Sequence, residues 1–116
     1  MSSLDAALGR ALTTPGISGA AVLDAVTGLS YAELGEVSAG QDSCEIAELT
    51  RTRLNRAGAE GEVESIVVTT STRHLVTIHL PRQGDPLLFC ATVDRDRTNL
   101  SSALRELRLY ADELLA

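Results

Sequence analysis

The side chains best suited to catalysis or metal binding in this chain are two histidines and two cysteines. His74 and His79 lie in HLVTIHL, which alternates as a β-strand does, and their odd separation puts the two imidazoles on opposite faces of a strand. Cys44 and Cys90 lie far apart and form no Cys-x-x-Cys pair. The spacing therefore predicts no metal centre, and it favours two reduced, packed thiols.

Other patterns that resemble catalytic motifs lack the necessary spacing. Ser18 in PGISGAA is followed at once by Gly19, so it does not form the GxSxG elbow of serine hydrolases. Glu60, Glu62 and Glu64 alternate near a loop, where a solvated acidic edge is favoured over acid–base catalysis. Neither of the glycine-rich phosphate loops, GxxxxGK[ST] and GxGxxG, is present. We therefore expect no catalytic residue, no bound cofactor and no enzymatic activity.

Composition and charge narrow the class of protein. The chain has 116 residues, of which 44% are hydrophobic and 22% charged, so we expect a single globular domain over residues 1–116. A net charge of −6 disfavours binding to nucleic acids and to anionic membranes. No signal peptide and no membrane-spanning stretch are predicted, which favours a cytoplasmic protein. All ten basic residues are arginine, as is typical of GC-rich genomes.

Hydrophobic periodicity predicts the elements that would hold these side chains. Asp24 and Gly28 in DAVTG indicate a tight turn between the first two strands, and the apolar run LLFCATV indicates a buried central strand. The predicted order is α-β-β-α-β-β-β-α, an α/β (α+β) fold with five antiparallel strands and helices packed on the sheet. The first predicted helix is capped by Ser2 or Ser3 and stopped by Pro15-Gly16, the second covers 41–57, and the last begins after an N-cap at Thr98 or Asn99. The predicted strands cover 17–23, 29–34, 65–70, 74–80 and 87–93.

Two helices carry patterns that raise a question about contacts. In the second helix a broad apolar side, typical of a helix packed on two sides, is made of Ile46, Leu49, Leu54 and Ala57, with Ala47 and Thr50 between them. The arginines at 51, 53 and 56 indicate either a solvated face or a contact with an acidic partner. In the last helix a stripe predicts burial against the core, made of Leu100, Ala103, Leu104, Leu107, Ala111, Leu114 and Leu115. Leu109 lies on the opposite side, as either an ordinary exposed leucine or a candidate partner contact.

Three stretches in this order resemble the roadblock domain family, named for the dynein light chain, and especially its bacterial members associated with small GTPases. They are GISGAAVLDAVTGL, VESIVVTTSTRHLVTIHL and LLFCATVDRDRTNLSSALRELR, and with the matching order of elements the resemblance extends over nearly the whole chain. The last is the most specific, because an apolar strand is followed by an Asp-Arg turn and then by Asn-Leu at the start of a helix.

The resemblance implies a profilin-like fold and a homodimer in which the second helices pack together and the third strands pair. It implies a regulator or scaffold that binds a Ras-like small GTPase, in actinobacteria often beside a sensor-kinase-like protein. It transfers no catalytic residue, although the GTPase activity of a partner could be modulated. On this basis the expected dimer interface comprises Ile46, Leu49, Thr50, Arg53, Ile66, Val67 and Val68.

A second hypothesis is a small-ligand-binding sensory domain of PAS or profilin-like architecture. This class requires an enclosed pocket, which is usually lined by aromatic side chains. Aromatic residues make up only 3% of the chain, and the strand GAAV is built from small residues. The composition therefore favours the interaction module over the sensory domain.

Overall fold

One antiparallel sheet of five strands, in the order β2-β1-β5-β4-β3, organises the molecule in a computed structural model that describes residues 3–36, 40–81 and 86–115. The helices lie on both faces of the sheet. The strands are β1 Ile17–Asp24, β2 Ser30–Gly35, β3 Ser65–Thr69, β4 Arg73–Leu80 and β5 Leu87–Asp94, and the helices are α1 Ser3–Ala11, α2 Gly40–Arg56 and α3 Leu100–Leu115. The predicted fold class and element order are confirmed.

The middle strand, β5, is apolar along its length because both of its faces are covered. Its side chains are buried from Leu87 to Val93, and it pairs with β1 on one side and β4 on the other. A strand buried on both faces has no polar side to alternate with. The edge strand β2 is instead largely exposed, while β4 alternates, with Val76, Ile78 and Leu80 buried.

The larger core lies between the sheet and the pair α1 and α3. Phe89 and Leu107 are among its fully buried side chains. The apolar residues of α1 recur at helical spacing, which turns Leu8 and Ala11 toward this core. Asn99 begins α3 as its N-cap, since its Oδ1 accepts the backbone N–H of Ser101 at 2.8 Å.

A smaller cluster lies on the other face of the sheet, beneath α2. Among the side chains of this helix that the structure describes, only Cys44 and Ala47 enter it, against Ala21, Leu23 and Leu88 of the sheet. The helix ends in a Schellman motif: Ala59 N donates to Leu54 O at 2.9 Å, and Gly58 adopts a φ of +94°. The helix therefore packs on the sheet by a narrow line of small side chains.

One residue of the predicted helices differs in the structure. Leu115 was expected in the buried stripe of α3 but is 41% exposed in the last turn of the helix. The broad apolar side predicted for α2 is divided: Ala47 packs in the core, whereas Ile46, Leu49 and Leu54 are exposed.

Candidate interaction surface

The outer face of α2 carries a row of exposed side chains with an apolar centre. Leu49 is 60% exposed and Ile46 is 45% exposed. Glu45, Arg53 and Arg56 are also exposed, and at 100° per residue they fall on the same side of the helix as Leu49. We call these five residues the α2 outer row. It lies opposite the line of Cys44 and Ala47 that contacts the sheet.

The α2 outer row is acidic at one end and basic at the other. Glu45 lies one turn before Leu49, whereas Arg53 and Arg56 lie one and two turns after it. The positive charges also lie near the negative end of the helix dipole, which favours them there. The spacing of Glu45, Leu49 and Arg53 is visible in the sequence, but Glu45 was not among the predicted contact residues. Arg56 was predicted only as part of a candidate contact with an acidic partner.

The edge of β3 is the second part of the surface. Backbone hydrogen bonds from His79 N to Glu64 O and from Thr70 N to Arg73 O mark the two ends of the β3–β4 pair. Because such bonds alternate along an antiparallel ladder, the backbone N–H and C=O groups of Ser65, Val67 and Thr69 point away from β4. Among the described residues β3 pairs with β4 alone, so these groups form an open edge.

The structure divides the three predicted β3 residues between the two faces of the sheet. Ile66 packs against the cluster beneath α2, and Val68, 38% exposed, follows it on the same face by strand alternation. Val67 packs instead against the core beneath α1 and α3. Its side chain is therefore not part of the α2 face, although its backbone lies on the open edge.

The remaining predicted interface residues lie on α2. Thr50 is half-buried at the flank of the α2 outer row, and its hydroxyl donates to the carbonyl of Ile46 at 2.8 Å. The C-terminal half of α2 adjoins β3, because Ala47, Arg51 and Ile66 line one small void between them. The sheet-facing side of α2 therefore contacts β3, and the α2 outer row belongs to the helix on the face of the sheet toward which Ile66 points.

Leu109 lies on the opposite side of the molecule. It is 53% exposed on the outer face of α3, the helix that covers the other face of the sheet. Its neighbours one turn away are Arg105 and Glu113, and Glu113 forms an ion pair with Arg10 of α1. The structure therefore separates this candidate partner contact from the α2 outer row.

The cysteines have no features of a reactive site. Burial raises the pKa of the Cys44 thiol, and the negative charges of Glu48 and Asp24 raise it further. The Cys44 thiol donates to the carbonyl of Ala25 at 3.1 Å, and Cys90 is buried in β5. A thiol whose ionisation is suppressed is a poor nucleophile.

The histidines lie on opposite faces of β4, as their spacing predicted. His74 shares a hydrogen bond of 2.8 Å with the Thr69 hydroxyl at the end of the β3–β4 pair. His79 lies beneath α2, where burial, and then the positive charge of Arg51, lowers its pKa below 6.5. No group of three or more metal-ligating side chains occurs in the ranges 3–36, 40–81 and 86–115.

A groove of about 500 Å³ runs between the C-terminal half of α3 and the end of β4. Ile78, Leu80 and Ala111 are among its apolar lining residues, while Arg108 and Glu64, an ion pair at 3.6 Å, lie at its polar side. The groove is open to solvent, whereas the sensory-domain hypothesis requires an enclosed pocket.

In the parts of the chain that the structure describes, no helix is long and apolar enough to cross a bilayer.

This chain is similar to known proteins in its three-dimensional structure, whereas its sequence matches none of the known families or curated proteins. The Roadblock/LC7 domain from Streptomyces avermitilis superposes with a TM-score of 0.78 at 18% identity, covering 97% of this chain and 95% of that one. MglB of Myxococcus xanthus superposes with a TM-score of 0.78 at 14% identity, covering 99% of this chain and 94% of that one.

The gliding protein MglB from Thermus thermophilus gives a TM-score of 0.76 at 13% identity, covering 96% of this chain and 84% of that one. These likenesses extend over nearly the whole chain and include its helices on both faces of the sheet. The resemblance seen in the sequence is thus confirmed for the fold: the chain has the fold of the Roadblock/LC7 domain.

Proposed function

We propose that this protein is a non-enzymatic, roadblock-type regulatory protein that forms a homodimer and binds a Ras-like small GTPase. The observation that carries the proposal is that two elements on the same side of the molecule each lack a partner. Leu49 and Ile46 are exposed at the centre of α2, and β3, which the sheet-facing side of α2 contacts, is an open edge strand among the described residues. Exposed apolar side chains beside an open strand edge are a typical site of protein association.

The charges of the α2 outer row favour a particular arrangement of two copies. When two α2 helices pack antiparallel about a two-fold axis near Leu49, Glu45 of each helix faces Arg53 of the other. A parallel arrangement would place like charges together, which is unfavourable. A two-fold axis makes the same patch contact itself, and the polarity of the row is self-complementary in that arrangement.

The open edge of β3 fits the same symmetry. Antiparallel pairing of β3 with the β3 of a second copy would satisfy the outward backbone groups of Ser65, Val67 and Thr69 and join two sheets into one. It would also bring Val68 of both copies toward the packed α2 helices. An unprotected β-branched edge invites aggregation, and pairing with an identical strand removes that risk.

Binding of a small GTPase is supported by the sequence resemblance and by the Roadblock/LC7 fold. A protein that acts by contact requires surfaces beyond its dimer interface, and α3 with Leu109 provides one that the proposed dimer leaves free. In this account the protein is cytoplasmic and comprises one domain over residues 1–116. It associates with a sensor-kinase-like protein and modulates, rather than performs, nucleotide hydrolysis.

A capture experiment tests the proposed partner. The immobilised protein is incubated with the small GTPases encoded near its gene, each loaded with GDP or with a non-hydrolysable GTP analogue. We expect one of them to be retained, and Leu109→Glu to reduce its retention if α3 forms the contact. Retention of no GTPase in either nucleotide state would overturn this part of the proposal. Retention unaffected by Leu109→Glu would assign the contact to another face.

A further inference from the structure

His79 lies at the junction of three elements beneath α2. Its backbone N–H donates to the carbonyl of Glu64 at 2.9 Å, which anchors the segment between α2 and β3 to β4. Its side chain lines a void of about 10 Å³ together with Ala47 and Arg51 of α2 and Ile66 of β3. The imidazole is therefore part of the contact by which α2 rests on the sheet.

The buried nitrogen of this imidazole is unusual. Nε2 of His79 is inaccessible to solvent, and within the described ranges it has no hydrogen-bond partner. A buried polar group without a partner is tolerated far better when it is neutral than when it is charged. His74, in contrast, has a partner in the Thr69 hydroxyl near the surface.

The charged groups near His79 come from α2, from the segment before β3 and, across the open groove, from Arg108 and Asp112 of α3. Arg51 of α2 lines the void and is paired with Glu48 at 3.8 Å. Glu64 also lines the void, but its carboxylate is paired with Arg108 of α3 at 3.6 Å. The lining residues from β3, β4 and β5, among them Ile66, Thr77 and Leu88, carry no charge.

A proton on Nε2 of His79 would therefore place a positive charge next to Arg51 at an atom that solvent does not reach. Two changes could relieve the repulsion: α2 could move away from the sheet, or Glu64 could leave Arg108. Both changes loosen the region in which α2 and β3 meet. The narrow line of small side chains that holds α2 in place, Cys44 and Ala47, offers little resistance to such a movement.

We propose that His79 is an acid-sensitive latch, which keeps α2 packed on the sheet while its imidazole is neutral and releases the helix when the imidazole is protonated. The release would also disorganise the α2 outer row, and that consequence rests on the proposed homodimer. The latch itself is a property of each single chain. It would make contacts through α2 weaker at mildly acidic pH.

Hydrogen exchange of the α2 backbone tests the latch without requiring a dimer. Exchange rates are measured by mass spectrometry at pH 7.5, 6.5 and 5.5, after correction for the intrinsic rate at each pH. One proton per chain can change the opening equilibrium by at most about tenfold per pH unit. We expect opening of α2 to increase by up to about tenfold between pH 7.5 and 5.5, while α3 keeps its protection.

Three variants make the result specific to His79. His79→Leu and His79→Gln remove the titrating group, and we expect α2 protection to be independent of pH in whichever of them folds. His74→Gln alters the only other histidine of the chain and should behave as the wild type. The latch is overturned if wild-type α2 protection does not change with pH. It is also overturned if the His79 variants show the same change, or if α3 opens as much as α2.

Discussion

Leu49 and Arg53 lie one helical turn apart on the outer face of α2, and both side chains are exposed although the helix packs on a sheet. The side of α2 that contacts the sheet uses Cys44 and Ala47, so the larger apolar residues are left for another contact. The small side chains of α2 thus face the sheet and its large apolar side chains face away from it, which supports an interface on the outer face of this helix.

We expect Leu49→Asp to weaken self-association by at least about tenfold, because apolar residues at the centre of an interface contribute most to its affinity. Sedimentation velocity over a concentration series measures the change. Leu109→Asp is the matched control, since Leu109 is a similarly exposed leucine on the other face of the molecule. Equal effects of the two substitutions would contradict an interface on α2.

The antiparallel arrangement predicts a charge-swap result. Glu45→Arg and Arg53→Glu should each weaken the dimer, and the double variant should recover much of the loss, because opposite charges face each other again. Each exposed pair contributes roughly 0.2–1 kcal/mol, and the two-fold axis creates two such pairs. Dissociation constants at low and high salt complete the double-mutant cycle. Additive losses in the double variant would show that Glu45 and Arg53 do not meet.

The open edge of β3 predicts a different effect for proline. Thr69→Pro removes a backbone N–H that points away from β4, so the fold should tolerate it while pairing of two β3 strands should not. We expect weaker self-association with an unchanged circular dichroism spectrum. Thr69→Ala is the control, since it removes the same hydroxyl contact to His74 and keeps the N–H. If both variants dimerise alike, strand pairing is not part of the interface.

The turn between β1 and β2 predicts a dependence of stability on acid. Backbone N–H groups of Thr27 and Val26 donate to the Asp24 carboxylate at 2.9 and 2.7 Å, and these bonds hold its pKa below 3.8. The unfolded chain therefore binds the proton first as the pH falls. The stabilisation by Asp24 is complete above pH 3.8 and is lost as the pH falls through the lowered pKa.

Urea denaturation of the wild type and of Asp24→Ala measures this contribution. The difference between their midpoints should be large at pH 6 and should shrink below pH 3.8. Asp24→Asn keeps an oxygen acceptor for the turn, so its midpoint should lie between the other two at pH 6. A difference between wild type and Asp24→Ala that is the same at both pH values would contradict the assignment.

Sequence patterns predicted the sheet well because its residues follow local rules. The continuously apolar Leu87–Val93 marked the central strand, and Asp24 with Gly28, whose φ is +77°, marked the turn. The apolar stripe of α3 also faced the core, apart from Leu115. In these elements the apolar residues are the ones that pack in the core, so their positions in the sequence predict which side chains are buried.

The orientation of α2 could not be predicted in the same way. Periodicity identifies an apolar face, but it does not distinguish a face that packs on the sheet from one that is left for another chain. In the structure Cys44 and Ala47 pack against Ala21 and Leu23, and Ile46 and Leu49 are left exposed. The position of Val67 on the far face depended on its register with Val76, which tertiary pairing fixes.

The mass of the purified protein in solution tests the central claim most directly. Sedimentation equilibrium at micromolar concentration should give twice the chain mass of 12.3 kDa, and Leu49→Asp should shift it toward the mass of one chain. A wild-type protein that sediments as a single chain throughout the micromolar range would contradict the homodimer. The surface formed by α2 and β3 would then require a different occupant.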